Sequence, residues 1–225
     1  MNKKIVELKQ ISKIFTKNNL KILKNINYTF KSGTIYSIVG PSGSGKSTLL
    51  NIISMIDSPT KGSLVIGNDK INFKDNEYND NIRANNVGIV YQDNNLLNDF
   101  TALENVHLAC LAAKKNENKS RLEAHSLLKK IGLGNRINHY PSELSGGEAQ
   151  RIAISRAIIN SPKILLADEP TGSLDQKNSK IIFDLILKLK NQNRVIIFAT
   201  HNMYFAKLAD CKLQLINGRL QNYNA

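Results

Sequence analysis

The sequence predicts an α/β fold with a helical lobe set into it, and three observations carry that expectation. The first is a glycine-rich stretch, Gly40-Pro-Ser-Gly-Ser-Gly-Lys46-Ser47-Thr48, held between the apolar runs Ile35–Val39 and Leu49–Ile53. That order is strand, loop, helix. The second is a pair of continuous apolar runs, Lys163–Asp168 and Arg194–Ala199, which read as parallel strands covered on both faces. The third is a change from strand to helix periodicity between Gln92 and about Asn160.

Taken in order, Val6–Ile11 reads as a strand, and Ile26, Tyr28 and Phe30 alternate with polar residues as a half-buried strand does. Between them lie Lys13-Ile-Phe15 and a polar turn; Phe15 is either core or an exposed aromatic. Lys31-Ser-Gly33 turns into the strand 35–39, and the helix after the glycine loop should end near Ile56. Residues 57–62 form a turn cluster, Ser63–Gly67 a short strand, 68–86 a polar loop with a short helix, and Val87–Tyr91 a buried strand. Thr101-Ala-Leu-Glu104 is a capping box at a helix start, and Leu122, Leu127, Leu128 and Ile131 mark a second helix. Leu144-Ser-Gly-Gly-Glu148 opens a third, running to about Ile159. A helix over 177–190, a helical stretch at 203–209 and a last strand at 212–216, closed by Gly218, complete the chain. The expected organisation is one domain over 1–225, with 1–91 and 161–225 as the α/β core and 92–160 as the helical lobe.

Composition narrows the class. The chain has 225 residues, 41% hydrophobic and 22% charged, ordinary values for a globular protein. No apolar run approaches the ~20 residues of a membrane span, and the N-terminus lacks a signal-peptide core, so the chain is expected to stay in the cytosol. The excess of 31 Lys and Arg over 18 Asp and Glu, net +13, suits a phosphate ligand or an anionic membrane surface. It lacks the basic runs and interleaved aromatics of a nucleic-acid binder, so no nucleic-acid partner is expected. Cys110 and Cys211 are far apart and read as small reduced apolar residues.

The glycine loop has the spacing G-x-x-x-x-G-K-S, a phosphate-binding loop. Gly40, Gly43 and Gly45 let the backbone curl its N–H groups inward, and the following helix adds its positive end. Pro41, Ser42, Ser44 and Thr48 complete the cradle. Lys46 would reach the β- and γ-phosphates, and the Ser47 hydroxyl would ligate Mg²⁺. Asp168 and Glu169 end a buried strand on the side where such loops bind. Asp168 is placed to hold Mg²⁺, and Glu169 to polarise an attacking water. Gln92 and His201 also end buried strands. Gln92 would reach Mg²⁺ or the water, or is a plain loop residue. His201 would meet a γ-phosphate oxygen, or is polar surface. Ser145, Gly146, Gly147 and Glu148 at a helix start make a second anion seat. Either one nucleotide spans both seats, or the second completes a site on another copy of the chain. Ser173-Leu-Asp175 reads as an interface loop.

These residues in this order resemble the ATPase subunits of ATP-binding cassette (ABC) transporters over nearly the whole chain. Gly40–Ser47 resembles the Walker A loop, Gln92 the Q-loop, Leu144–Glu148 the family signature, and Ile164–Asp168 Walker B with Glu169 as base. Ser173-Leu-Asp175 resembles the D-loop, His201 the switch histidine, and Phe15 the aromatic stacked on adenine. Asp57-Ser-Pro-Thr60, Phe100–Val106, Asn138–Glu148 and Ala167–Gly172 are similar to the lipoprotein-releasing branch, where Glu148 replaces the usual Gln. The segment after Gln92, Asp93–Asn98, departs from the pattern of that branch in lacking its proline and paired histidines. Macrolide-export and cell-division relatives share most of these motifs.

The resemblance implies a P-loop NTPase core of RecA-like type, an N-terminal antiparallel β subdomain and an inserted helical lobe. It implies ATP and Mg²⁺ as ligands, a homodimer, integral membrane transporter subunits as partners, and a place on the cytoplasmic face of the inner membrane. The end at Ala225, soon after the last strand, implies no fused membrane domain. Glu169 and His201 would be catalytic. Ser47, Gln92 and Asp168 would hold the metal. Phe15, Gly40 to Thr48, Gln92, Ser145 to Glu148 and Asp175 would bind the nucleotide.

Overall fold

A computed structural model describes residues 3–15 and 20–223. Two sheets carry the fold. The first strands, β1 (Lys4–Phe15) and β2 (Leu20–Lys31), pair antiparallel, and β4 (Lys61–Ile66) and β5 (Asp69–Lys70) extend them in the order β2-β1-β4-β5. Both leading strands are longer than the sequence predicts. The β1–β2 register shifts at Leu8/Ile11 and Lys13/Ile14, and Gln10 and Asn25 take positive φ of 55° and 50°. Such bulges break the period of two by which strands are read. Lys13 to Phe15 therefore lie inside β1.

The second sheet has the order β10-β9-β3-β8-β7-β6. Its strands β3 (Ile35–Val39), β6 (Val87–Val90), β7 (Ile164–Asp168), β8 (Val195–Ala199) and β9 (Cys211–Ile216) run parallel. Every residue of β3 and β8 is buried. One hydrophobic cluster fills the space between the two sheets, with Ile38, Leu49, Ile52, Leu166 and Ile197 beside Val6, Ile11 and Leu23. A second, with Phe183 and Phe205 ring-stacked at 3.9 Å, covers the other face.

The edge strand β10 (Arg219–Asn222) is an addition to the sequence expectation, which ended at Ile216. It is polar and offers no alternation, yet it pairs antiparallel with β9 from Arg219↔Ile216 onward. The turn is Asn217-Gly218, φ 51° and 78°, the dipeptide that favours a tight hairpin.

The helix after the glycine loop, α1 (Lys46–Ile53), is shorter than expected because Met55 takes φ 61° and ends it. Next comes α2 (Asn76–Asn86), N-capped by Asp75. Between β6 and β7 come α3 (Ala102–Ala112), α4 (Glu117–Lys130) and α5 (Gly146–Ile158), packed around Leu103, Val106, Leu128 and Ile152. The Thr101–Glu104 capping box forms as read, with both reciprocal hydrogen bonds. The last helices are α6 (Gln176–Lys188) and the short α7 (Met203–Ala206). Among the described residues no helix is long and apolar enough to cross a membrane.

Candidate active site

The glycine loop, β7 and β8 meet at the carboxyl ends of the parallel strands. There a cleft of about 680 Å³ is lined by Ile22, Ser42, Gly43, Gly45, Lys46, Ser47, Thr48, Gln92, Asp168, Glu169 and His201. The loop can close only with glycine at its last turn. Gly45 takes φ 103°, and a Cβ there would stand 2.7 Å from the Ile22 side chain. Lys46 is buried and donates to the carbonyls of Gly40 (2.9 Å) and Pro41 (3.0 Å). Its ammonium is thus held over the loop, where an anion cradled by the loop amides would meet it.

Asp168 faces the same space. The Ser47 hydroxyl hydrogen-bonds its carboxylate, while its Oδ1 is buried without a partner. Burial raises its carboxyl above the ordinary value, and the Glu169 charge adds to that. Ser47 and Lys46 pull the other way. A half-satisfied buried carboxylate beside a hydroxyl fits a hard divalent cation. Among the described residues no three His, Cys, Asp or Glu side chains converge as a metal cage.

Glu169 takes φ 45°, a left-handed conformation that is strained for a side-chain-bearing residue and clusters at functional sites. Its N–H donates to the Ala199 carbonyl (3.0 Å), and its own carbonyl accepts from Gly172 N–H (2.9 Å). The turn aims its carboxylate at His201, with Oε1 2.9 Å from Nδ1. Gln92 reaches the cleft from the end of β6 and lies against Gly172, where a Cβ would come within 2.9 Å of its side chain.

Several of the expected residues lie elsewhere in the single chain. Ser145 to Glu148 stand at the start of α5 and do not line the cleft. Asp175 caps α6 by accepting from Asn178 N–H (2.9 Å). Phe15 is exposed, with the Lys13 ammonium 5.3 Å from its ring centre, and it too is absent from the cleft wall. The start of α5 and the cap of α6 touch: a Cβ on Gly146 would meet Leu174, and one on Gly147 would meet Asn178 at 2.6 Å.

Sequence reading missed Gln150. It is buried on α5, and its side-chain amide donates to the carbonyls of Tyr91 (2.9 Å) and Pro170 (2.8 Å). These are the neighbours of Gln92 and Glu169, so one amide ties α5 to both strand ends. Helical periodicity alone marks position 150 as inward-facing, but nothing local says what it meets.

A phosphate-loop sheet, an inserted helical lobe and a strand-end acidic pair define an ABC-type ATPase. The ABC transporter family profile matches residues 23–172, and the chain belongs to that family as an ATP-hydrolysing transporter subunit. Within it the chain is of the LolD type. It is 44% identical to the lipoprotein-releasing system ATP-binding protein LolD of Rickettsia bellii, covering 98% of this chain and 99% of the relative. The LolD of Wigglesworthia glossinidia brevipalpis is 42% identical, with 99% of each chain covered. The fold is similar to that of the ATP-binding cassette MJ0796, solved as a dimer in a post-hydrolysis state with ADP and phosphate. The TM-score is 0.88 at 37% identity, over 98% of this chain and 100% of that one.

Proposed function

We propose that this chain works as a head-to-tail homodimer on the cytoplasmic face of the inner membrane, powering membrane subunits that release lipoproteins. The cargo reading rests on full-length likeness to LolD proteins. The dimer reading rests on one observation: the start of α5, which the sequence reads as a second anion seat, does not line the cleft. The seat on α5 is then free to close over the nucleotide held by another copy.

In this reading the loop amides and Lys46 bind the triphosphate of ATP. Ser47, Asp168 and Gln92 would hold Mg²⁺, which would neutralise phosphate charge. Glu169 takes a proton from the attacking water as the water oxygen bonds to the γ-phosphorus. His201, 2.9 Å from the Glu169 carboxylate, orients that base and meets the γ-phosphate. The bond to the bridging oxygen breaks and ADP leaves with the electron pair. Gln150 carries the change at Gln92 and Glu169 into α5 and the helical lobe. We assign the contact with the membrane subunits to the groove beside Gln92. It encloses about 1140 Å³ between α2 and the ends of α3 and α5, with Tyr78, Tyr91, Arg156 and Asn160 in its wall.

The test is purification of the tagged chain from membranes and identification of what comes with it. Integral membrane subunits, with lipoproteins retained in the inner membrane when the chain is depleted, are the expected result. A stable complex with other proteins and unchanged lipoprotein sorting would reject the cargo assignment.

A further inference from the structure

The second seat carries a charge of its own. Ser145 is the N-cap of α5, and its Oγ accepts from Glu148 N–H at 3.3 Å. In return Glu148 Oε2 accepts from the Ser145 N–H (2.9 Å) and hydroxyl (2.8 Å). In the isolated chain the turn is therefore satisfied by an internal carboxylate. A phosphate approaching the same turn meets a like charge, and the serine proton it needs is already engaged. The Arg136 ion pair, then the Ser145 hydrogen bonds, hold the Glu148 carboxyl down to about 2, so protonation does not remove that charge at working pH.

Arg136 stands on the other side of the carboxylate. It lies in the segment between α4 and α5, and its Nε donates to Glu148 Oε1 at 2.8 Å. Its Nη1 is 3.4 Å from His139 Nε2. Glu148 is 18% exposed and Arg136 44%, so the pair sits at the surface where a second chain would close.

We propose that Arg136 is the positioning residue of this seat, pairing with Glu148 so that the triphosphate held by a partner chain can settle against Ser145 and the Gly146 and Gly147 amides. The inference rests on the trans reading above. Arg136 does not itself touch the nucleotide; it neutralises the one residue of the turn that would repel it. A glutamate in an anion seat and an arginine 12 positions upstream thus form one functional unit.

The experiment uses the full chain carrying Glu169→Gln, which should trap the ATP-bound dimer, and reads the ATP concentration for half-maximal dimerisation by light scattering. Adding Arg136→Ala should raise that concentration roughly 2- to 5-fold, the weight of one partly exposed charge pair. The rise should shrink as salt is added. Adding Glu148→Gln to Arg136→Ala should bring the value back to within about 1.5-fold of the parent, because the charge that needed neutralising is gone. No rise with Arg136→Ala, or an equal rise in the presence of Glu148→Gln, overturns the proposal; the latter marks Arg136 as a scaffold residue only. Ser145→Arg in the same background separates the two readings. If it still dimerises with ATP, the trans arrangement itself fails. If it blocks dimerisation while Arg136→Ala does nothing, only the role of Arg136 fails.

Discussion

At the scale of single residues, the cleft gathers a strained backbone at Glu169 and an unpartnered buried oxygen at Asp168. Glu169 keeps a left-handed backbone so that its carboxylate meets His201 instead of continuing β7. Glu169→Gln keeps the size and the hydrogen bonding but removes the base. Hydrolysis should fall by roughly 10²–10⁴, with ATP still bound and the nucleotide-loaded dimer accumulating. Turnover within a few-fold of the unmodified chain would sink the assignment. Asp168 gives a prediction of opposite sign for stability. Its carboxyl is raised chiefly by burial, so the folded chain holds that proton more tightly than the unfolded one. Ionisation therefore withdraws stability as the pH rises past the ordinary carboxylate value of about 3.9. Without nucleotide, Asp168→Asn should melt above the unmodified chain at neutral pH. The difference should vanish below about pH 4, and hydrolysis should be lost throughout. A lower melting temperature at neutral pH would show that the carboxylate is not a burden in the free chain.

At the scale of elements, the helix α5 is tied directly to the strand ends that line the cleft. It starts just after Ser145, and one turn later Gln150 grips the carbonyls beside Gln92 and Glu169. Gln150→Leu keeps the bulk and strands two carbonyls. The expected loss is about 1–3 kcal/mol of stability, read by urea unfolding, together with a fall in kcat larger than any change in ATP affinity. A variant as stable and as active as the parent would show that the bridge is dispensable. Elements also mark where sequence reading falters. The buried strands follow directly from apolar runs, α3 from its capping box and α5 from the Ser-Gly-Gly-Glu stretch that opens it. By contrast β1 and β2 hide their length behind bulges, and β10 exists only because β9 offers it an edge. Asn217-Gly218 is the one local signal for that last hairpin.

At the scale of the whole molecule, the proposed head-to-tail dimer is what would bring the start of α5 to a cleft it does not line in the single chain. The prediction is complementation. A Ser145→Arg chain should bind ATP through its own loop and fail to hydrolyse it. A Lys46→Ala chain should fail through its own loop while its α5 seat stays intact. Mixed dimers contain one complete site, with Lys46 from the first chain and Ser145 from the second, and should recover part of the activity. ATPase rate against mixing ratio is the measurement. A rate that stays at the baseline of the two mutants, with mixed dimers shown to form, would count against the trans arrangement.

The glycine loop, the acidic strand end and the start of α5 were legible in the sequence because each is a local pattern. Glycines where the chain must curl, an acid ending an apolar run and a capping box need only a few neighbouring residues to be recognised. The class of fold followed from the same short-range signals. What the tertiary structure alone decided is which of these patterns share a space. Lys46, Asp168, Glu169 and His201 come together because β3, β7 and β8 are neighbours in the sheet. Ser145 to Glu148 stay apart from them because a helical lobe carries them elsewhere. The hold of Gln150 on two strand ends and of Arg136 on Glu148 was equally invisible beforehand. Such pairings are set by strand order and packing between distant segments, and period and propensity along the chain carry no record of them.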